Sequence, residues 1–223
     1  MLPARTLFMM IALAGSIASG QGQPATQAPA KAPPPEKITI ELPEIGMPAP
    51  SFALPDTEGK LARLGDLRGH VVVLCWVHAG CAEVKSQFEN GPMGKLPAAM
   101  EAHKIQWLAI NPLPASDPLG GAKGSLLAKE QLHLKFPLLV DPAGLTTKSY
   151  AVTKSPTVAV IDAEGVLRYI GAIDNAPLGV SPEGEKFISH LERALTGVIE
   201  GKTITKTRVT AYGCDLPVSK FPG

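Results

Sequence analysis

Cysteine is the residue type in this chain that is best placed to do chemistry. There are three: Cys75 and Cys81 in CWVHAGC, and Cys214 in AYGCDLP near the C-terminus. A thiolate attacks a disulfide to give a mixed disulfide, or a peroxide to give a sulfenic acid. A free cysteine, with a pKa near ~8.5, is mostly protonated at neutral pH, so a working nucleophile needs surroundings that hold negative charge. Cys81 has them, because it directly precedes the helix-forming run AEVKSQFEN. At that helix end the backbone N–H groups of Ala82 and Glu83 point at the sulfur. Such an interaction is worth roughly 0.3 to 1 kcal/mol, up to ~2 when partly buried. At ~1.4 kcal/mol per unit, it moves a thiol pKa by only ~1 unit. A larger thiolate fraction needs a cation, and His78 and Lys85 are the local candidates.

Cys75 reads differently. It lies inside HVVVLCWV between Leu74 and Trp76, where a cysteine acts as a small hydrophobe. Pairing it with Cys81 would require strand and loop to reverse within six residues and bring the Cα atoms within ~7 Å. Cys214 has three open readings: a redox partner of Cys81, one half of a permanent disulfide, or an unpaired or intermolecular thiol. Closing a loop of more than a hundred residues onto Cys81 would contribute roughly 4 to 5 kcal/mol in the chain-entropy model.

Other chemistries have weaker support. No Cys-x-x-x-Cys or His-x-x-x-His stands in the sequence, and His78 with Cys81 does not close a metal site, so no metal is expected. LGGAKGS lacks phosphate-loop spacing, no Gly-x-Ser-x-Gly is present, and no cofactor is implied. With 21 basic and 20 acidic side chains, there is no basic field to hold nucleic acid or anionic lipid.

The elements that must position Cys81 follow from pattern. The segment 46–69 alternates extended pieces with turns at 56–59 and 66–69 and predicts an N-terminal hairpin. The β-branched run 70–77 predicts a central strand buried on both faces. Helical stretches follow at 81–90 and 93–103, interrupted at Gly91-Pro92. Next come a strand at 105–111, a loop at 112–121, a helix from Lys123 to His133, and a strand in FPLLVD. A short helix in GLTTKSYAV, strands in TVAVID and VLRYIGAI, and a helix at 182–195 with Phe187, Ile188, Leu191 and Leu195 at helical spacing complete the order. ITIEL, 38–42, predicts one more short strand. Strands alternating with helices and then an antiparallel pair fit an α/β mixed sheet flanked by helices.

Residues 1–20 carry Arg5, an apolar run from Leu7 to Ala14 and then small residues, the order of a secretory signal. That run is short against the roughly 20 residues that span a bilayer, so no stable span is expected after cleavage. Residues 21–37, rich in Pro, Ala and Gln, predict an extended linker, and 38–223 the folded domain. The expected location is periplasmic or secreted.

The chain resembles the secreted redoxins of the alkyl hydroperoxide reductase and thiol-specific antioxidant (AhpC/TSA) group. The resemblance rests on GMPAPSFALPDTEGKLARLGDLRGHVVVLCWV, GCAEVK, SPTVAVIDAEGVLRYIGAIDN and AYGCDLP. It implies a thioredoxin-like fold with an N-terminal hairpin extension. It also implies that Cys81 is the nucleophilic or peroxidatic cysteine, that Pro156 is a cis-proline facing it, and that Cys214 is the late cysteine of similar secreted members. The Cys-x-x-Cys motif is absent, with Val84 in place of the second thiol, and Leu74 and His78 occupy the Pro and Thr positions of Pro-x-x-x-Thr-x-x-Cys. The implied activity is thiol oxidoreduction on a disulfide-containing protein or a small peroxide, with an external thiol as reductant. A non-catalytic thioredoxin-fold binding module is the alternative.

Overall fold

The computed structural model describes residues 42–217, and its first regular pairing is a hairpin of β1 (Ala53–Pro55) and β2 (Leu61–Arg63). Asp56 shapes the turn: its Oδ1 accepts the N–H groups of Glu58 and Lys60 at 2.8 and 2.9 Å. A 3₁₀ turn at Leu64–Leu67 then leads into β3 (Val72–Trp76), all of whose residues are buried. Next come α1 (Ala82–Glu89) and α2 (Pro92–Ala99). They are separate helices because Gly91 is extended, with φ −88° and ψ −173°, and Pro92, whose missing N–H costs nothing there, opens the second. A 3₁₀ turn at Glu101–His103, β4 (Gln106–Asn111), α3 (Gly121–Gln131), β5 (Leu138–Val140) and α4 (Leu145–Ser149) follow. The chain continues through β6 (Lys154–Ser155), β7 (Thr157–Ile161), β8 (Leu167–Gly171), α5 (His190–Ile199), β9 (Arg208–Val209) and β10 (Cys214–Asp215).

The main sheet has the order β5-β4-β3-β7-β8-β9, with β3, β4 and β5 mutually parallel and β7 antiparallel to both β3 and β8. Alternation along β3 divides its side chains between two cores. Val73, Cys75 and Val77 face one cluster with Val84, Met93, Leu96, Ala128, Leu191 and Leu195, which lie on α1, α2, α3 and α5. Val72, Leu74 and Trp76 face the other, with Phe52, Leu64, Tyr150 and Leu216. Each such aliphatic or aromatic burial contributes roughly 1.5 to 3 kcal/mol, which fixes the register of the central strands. The result is the α/β, thioredoxin-like arrangement expected from the sequence, with its N-terminal hairpin.

The last helix departs from its predicted bounds of 182–195 and runs His190–Ile199. Ser189 caps it, accepting the Glu192 N–H at 3.2 Å, a local signal that outweighs the apolar spacing upstream. Phe187, counted in that spacing, is 55% exposed, and Gly184 has φ +78°, which suits a turn. Two pairings lie beyond the sequence prediction: β9 adds parallel to β8, and β10 pairs antiparallel with β6. The predicted signal segment 1–20, the linker 21–37 and all but Leu42 of the ITIEL strand lie outside the described residues.

Candidate active site

Cys81 is the N-cap of α1. Its backbone is extended, with φ −84° and ψ 129°; its C=O accepts the Lys85 N–H at 3.2 Å, and its N–H donates to the His78 carbonyl at 2.9 Å. Its sulfur is bonded to that of Cys214, with the two Cα atoms 5.9 Å apart. The Cys214 N–H also donates to Cys81 Sγ at 3.2 Å. Cys81 is 0% exposed, whereas Cys214 is only partly buried. The two ends of this bridge thus meet solvent very differently.

Backbone pairing brings Cys214 here from the far end of the chain. β10 places Cys214 opposite Ser155, and Leu216 N–H donates to Thr153 O at 2.8 Å just beyond it. Gly213 permits the approach: its φ is +91°, and a Cβ there would collide with the Ser155 carbonyl and lie 3.0 Å from Pro156 Cδ. Ser155 is itself buried and stitches two segments together, its Oγ accepting the His78 N–H at 2.8 Å and donating to Trp76 O at 3.0 Å. Its carbonyl lies 3.4 Å from Cys81 Sγ, and the Ser155–Pro156 peptide bond is cis.

A second tie holds the tail two residues earlier. Tyr212 Oη donates to Asp174 Oδ1 at 2.7 Å, and Gln87 Nε2 of α1 donates to Asp174 Oδ2 and to Tyr212 Oη, both at 2.9 Å. Burial, followed by the hydrogen bond to Asp174, pushes the Tyr212 hydroxyl above its ordinary pKa, so it stays a donor. Gln87 Oε1, buried, has no partner. α1, the segment after β8 and the tail are therefore joined around one carboxylate.

Charges near the sulfur differ from the expectation based on His78 and Lys85. A carboxylate oxygen of Glu83, in the first turn of α1, lies 3.0 Å from Cys81 Sγ and 3.8 Å from Cys214 Sγ. Lys85 is exposed. His78 serves the site through its backbone, while its ring Nδ1 is buried without a hydrogen-bond partner. Of the four residues singled out in the sequence, Cys81, Cys214 and the Ser155–Pro156 segment meet at the bridge, with His78 beside them. Sequence reasoning missed the Glu83 carboxylate, Ser155 and the Tyr212–Asp174–Gln87 tie. An acidic residue in the first turn of a helix is a signal for the first; the others depend on long-range contact.

Cys81, Glu83 and Cys214 also present ligand atoms within 4.8 Å of one another, the one such group among the described residues. While the sulfurs are joined neither is a thiolate, so the oxidised form offers a single carboxylate and no closed metal site. Cys75 is fully buried and unpaired, and burial alone pushes its thiol far above the ordinary pKa, which makes it inert.

These features can be set beside known proteins. The thiol-disulfide oxidoreductase ResA of Bacillus thuringiensis subsp. konkukian is 30% identical over 122 residues, 55% of this chain and 66% of ResA. ResA of Geobacillus thermodenitrificans is 28% identical over 127 residues, covering 56% of this chain and 68% of that protein. The chain thus spans about two thirds of the length of these relatives. Among solved structures, a hypothetical protein of Sinorhizobium meliloti 1021 superposes with a TM-score of 0.68 at 24% identity, over 78% of this chain and 94% of that one. This last likeness concerns the fold alone. Residues 45–170 match the AhpC/TSA family; the match takes in Cys81 and Pro156 and stops before Cys214. Since that segment is more than half of the chain, the protein belongs to the AhpC/TSA family.

Proposed function

We propose that this protein is an exported thiol–disulfide oxidoreductase whose redox centre is the Cys81–Cys214 pair. The observation that carries the proposal is the bridge itself, which joins the residue leading α1 to a cysteine on a tail strand. The Cys214 N–H, 3.2 Å from Cys81 Sγ, stabilises negative charge on that sulfur when the bridge opens, whereas the start of α1 makes no side-chain cap bond with it. Pro156 and Ser155 form the wall beside it, and His78 holds the approach to α1 through its backbone bonds. The proposed substrates are disulfide-containing proteins, with an external thiol as reductant. Disulfide exchange is favoured over peroxide reduction because Cys81 is covered, and because Leu74 and His78 stand where a peroxide site of this family carries Pro and Thr. Export rests on the first twenty residues, with 21–37 as the linker and a periplasmic or secreted location. Among the described residues no helix is long and apolar enough to cross a membrane.

Redox titration of the full chain against glutathione and dithiothreitol buffers, read by peptide mass spectrometry, tests the proposal. The expected midpoint lies above about −300 mV, in the range of exchange-active disulfides, and Cys81→Ser abolishes catalysed reduction of a protein disulfide. A midpoint well below about −300 mV would make the bridge a permanent staple and leave the fold as a binding module.

A further inference from the structure

Thiol–disulfide exchange is an in-line displacement, so the sulfur that is attacked must be open on the side opposite its bonded partner. The two cysteines here differ in burial. Cys81 is 0% exposed and belongs to the buried cluster with Val77, Ala79 and Val84. Glu83, the Ser155 carbonyl and the Cys214 N–H surround its sulfur at 3.0, 3.4 and 3.2 Å. Cys214 is partly exposed, on a strand that pairs on one side only with the two residues of β6. Lys154, opposite Asp215 in that ladder, binds the Asp215 carboxylate at 2.7 Å and so places a cation one register position from Cys214.

Resting on the exchange activity proposed above, we propose that external thiols enter and leave at Cys214, with buried Cys81 as the internal leaving group and resolving thiol. This reverses the roles assigned from the sequence. An external thiolate attacks Cys214 Sγ, a bond forms between those two sulfurs, and the Cys81–Cys214 bond breaks. Cys81 departs with the electron pair as a thiolate, toward which the Cys214 N–H donates at 3.2 Å. A second external thiolate then attacks the outer sulfur of the mixed disulfide, releasing an external disulfide and the Cys214 thiolate. Two external thiols are oxidised and one protein disulfide is reduced. In the opposite direction, the Cys214 thiolate attacks a substrate disulfide, and Cys81 resolves the adduct without leaving the core.

The test maps the intermediate. Full-length oxidised protein is treated with reduced glutathione and quenched with acid, and the adducts are located by peptide mass spectrometry. Glutathione is expected on the peptide containing Cys214, with Cys81 free. In parallel, Cys81→Ser and Cys214→Ser chains are reacted with oxidised glutathione. Cys214 in the first is expected to form its adduct at least tenfold faster than Cys81 in the second. An adduct on Cys81 in the wild-type chain, or equal rates in the two variants, overturns the inference and leaves the exchange activity standing. A bridge that glutathione and dithiothreitol fail to open overturns both.

Discussion

Asp174 and Asp141 are both 2% exposed carboxylates with their oxygens filled by donors, yet they hold together different kinds of structure. Asp141 works locally. Its Oδ2 accepts the Thr147 N–H at 2.9 Å and the Thr147 hydroxyl at 2.7 Å, and Thr147 Oγ1 in turn accepts Trp76 Nε1–H at 3.1 Å. It thereby pins the short α4 against β3. Asp174 works across the chain, gathering Gln87 of α1 and Tyr212 of the tail, residues 125 positions apart. A local cap survives any rearrangement that leaves its own turn intact, whereas a tie between distant segments is lost as soon as one of them lifts. The exchange activity proposed above therefore depends on the Asp174 side, where the docked tail carries Cys214, and core stability depends on both.

The largest effect expected at the tail is loss of the bridge itself. Cys214→Ser removes a cross-link that spans 133 residues, and the unfolding free energy in urea should fall by about 2 to 5 kcal/mol. Added reductant should lower the wild-type value toward that of the variant and leave the variant unchanged. Next comes Gly213→Ala, which forces a Cβ against the Ser155 carbonyl at φ +91°. A loss of about 1 to 3 kcal/mol, together with faster reduction of the bridge by dithiothreitol, is expected.

Two hydroxyl deletions separate the two networks. Tyr212→Phe and Thr147→Val each strip a donor from a buried carboxylate, so each should cost about 1 to 3 kcal/mol in urea. Only Tyr212→Phe should move the reduction potential of the bridge. Loosening the tail lowers the effective concentration of one thiol at the other, which raises the potential by up to about 20 mV, given that 30 mV corresponds to ~1.4 kcal/mol. Equal shifts in the two variants would dissolve the distinction between the networks.

The smallest effect is a pH dependence at Asp141. Burial, only partly offset by its hydrogen bonds to Thr147, Thr146 and Leu145, pushes this carboxyl above its ordinary value of 3.8. A carboxyl raised in the folded state binds its proton more tightly there than in the unfolded chain. Its contribution to stability is therefore greatest below the unfolded pKa and declines as pH rises through the folded one. Asp141→Asn removes that titration, so the wild-type advantage over the variant should shrink as pH increases across this window in urea melts.

The reach of sequence reasoning follows from how local each signal is. The run HVVVLCWV had to become a buried strand because its β-branched and apolar residues have no polar face to show water. Gly91-Pro92 separates two helices because the Gly91 backbone is extended and Pro92 takes the first position of the second. Cys81 at the head of α1 could be read in the same way, from the helix formers that follow it, as could the inertness of Cys75 inside its strand. The start of α5 was misplaced by eight residues because apolar spacing upstream mimicked a helix face; Ser189, three residues before Glu192, held the better signal.

Everything about the partner of Cys81 was decided elsewhere. Local pattern carried the α/β order, a mixed sheet flanked by helices and the thiol at a helix end, since these depend on signals repeated within a few residues. Packing between distant segments set Cys214 against Cys81, seated the tail through Gly213 and Tyr212, laid Glu83 against the sulfur, and left Cys214 partly exposed while Cys81 is buried. Those outcomes depend on a two-residue strand and one buried carboxylate, contacts between segments far apart in the chain. Such contacts form only after the core has brought those segments together, and no local pattern encodes them.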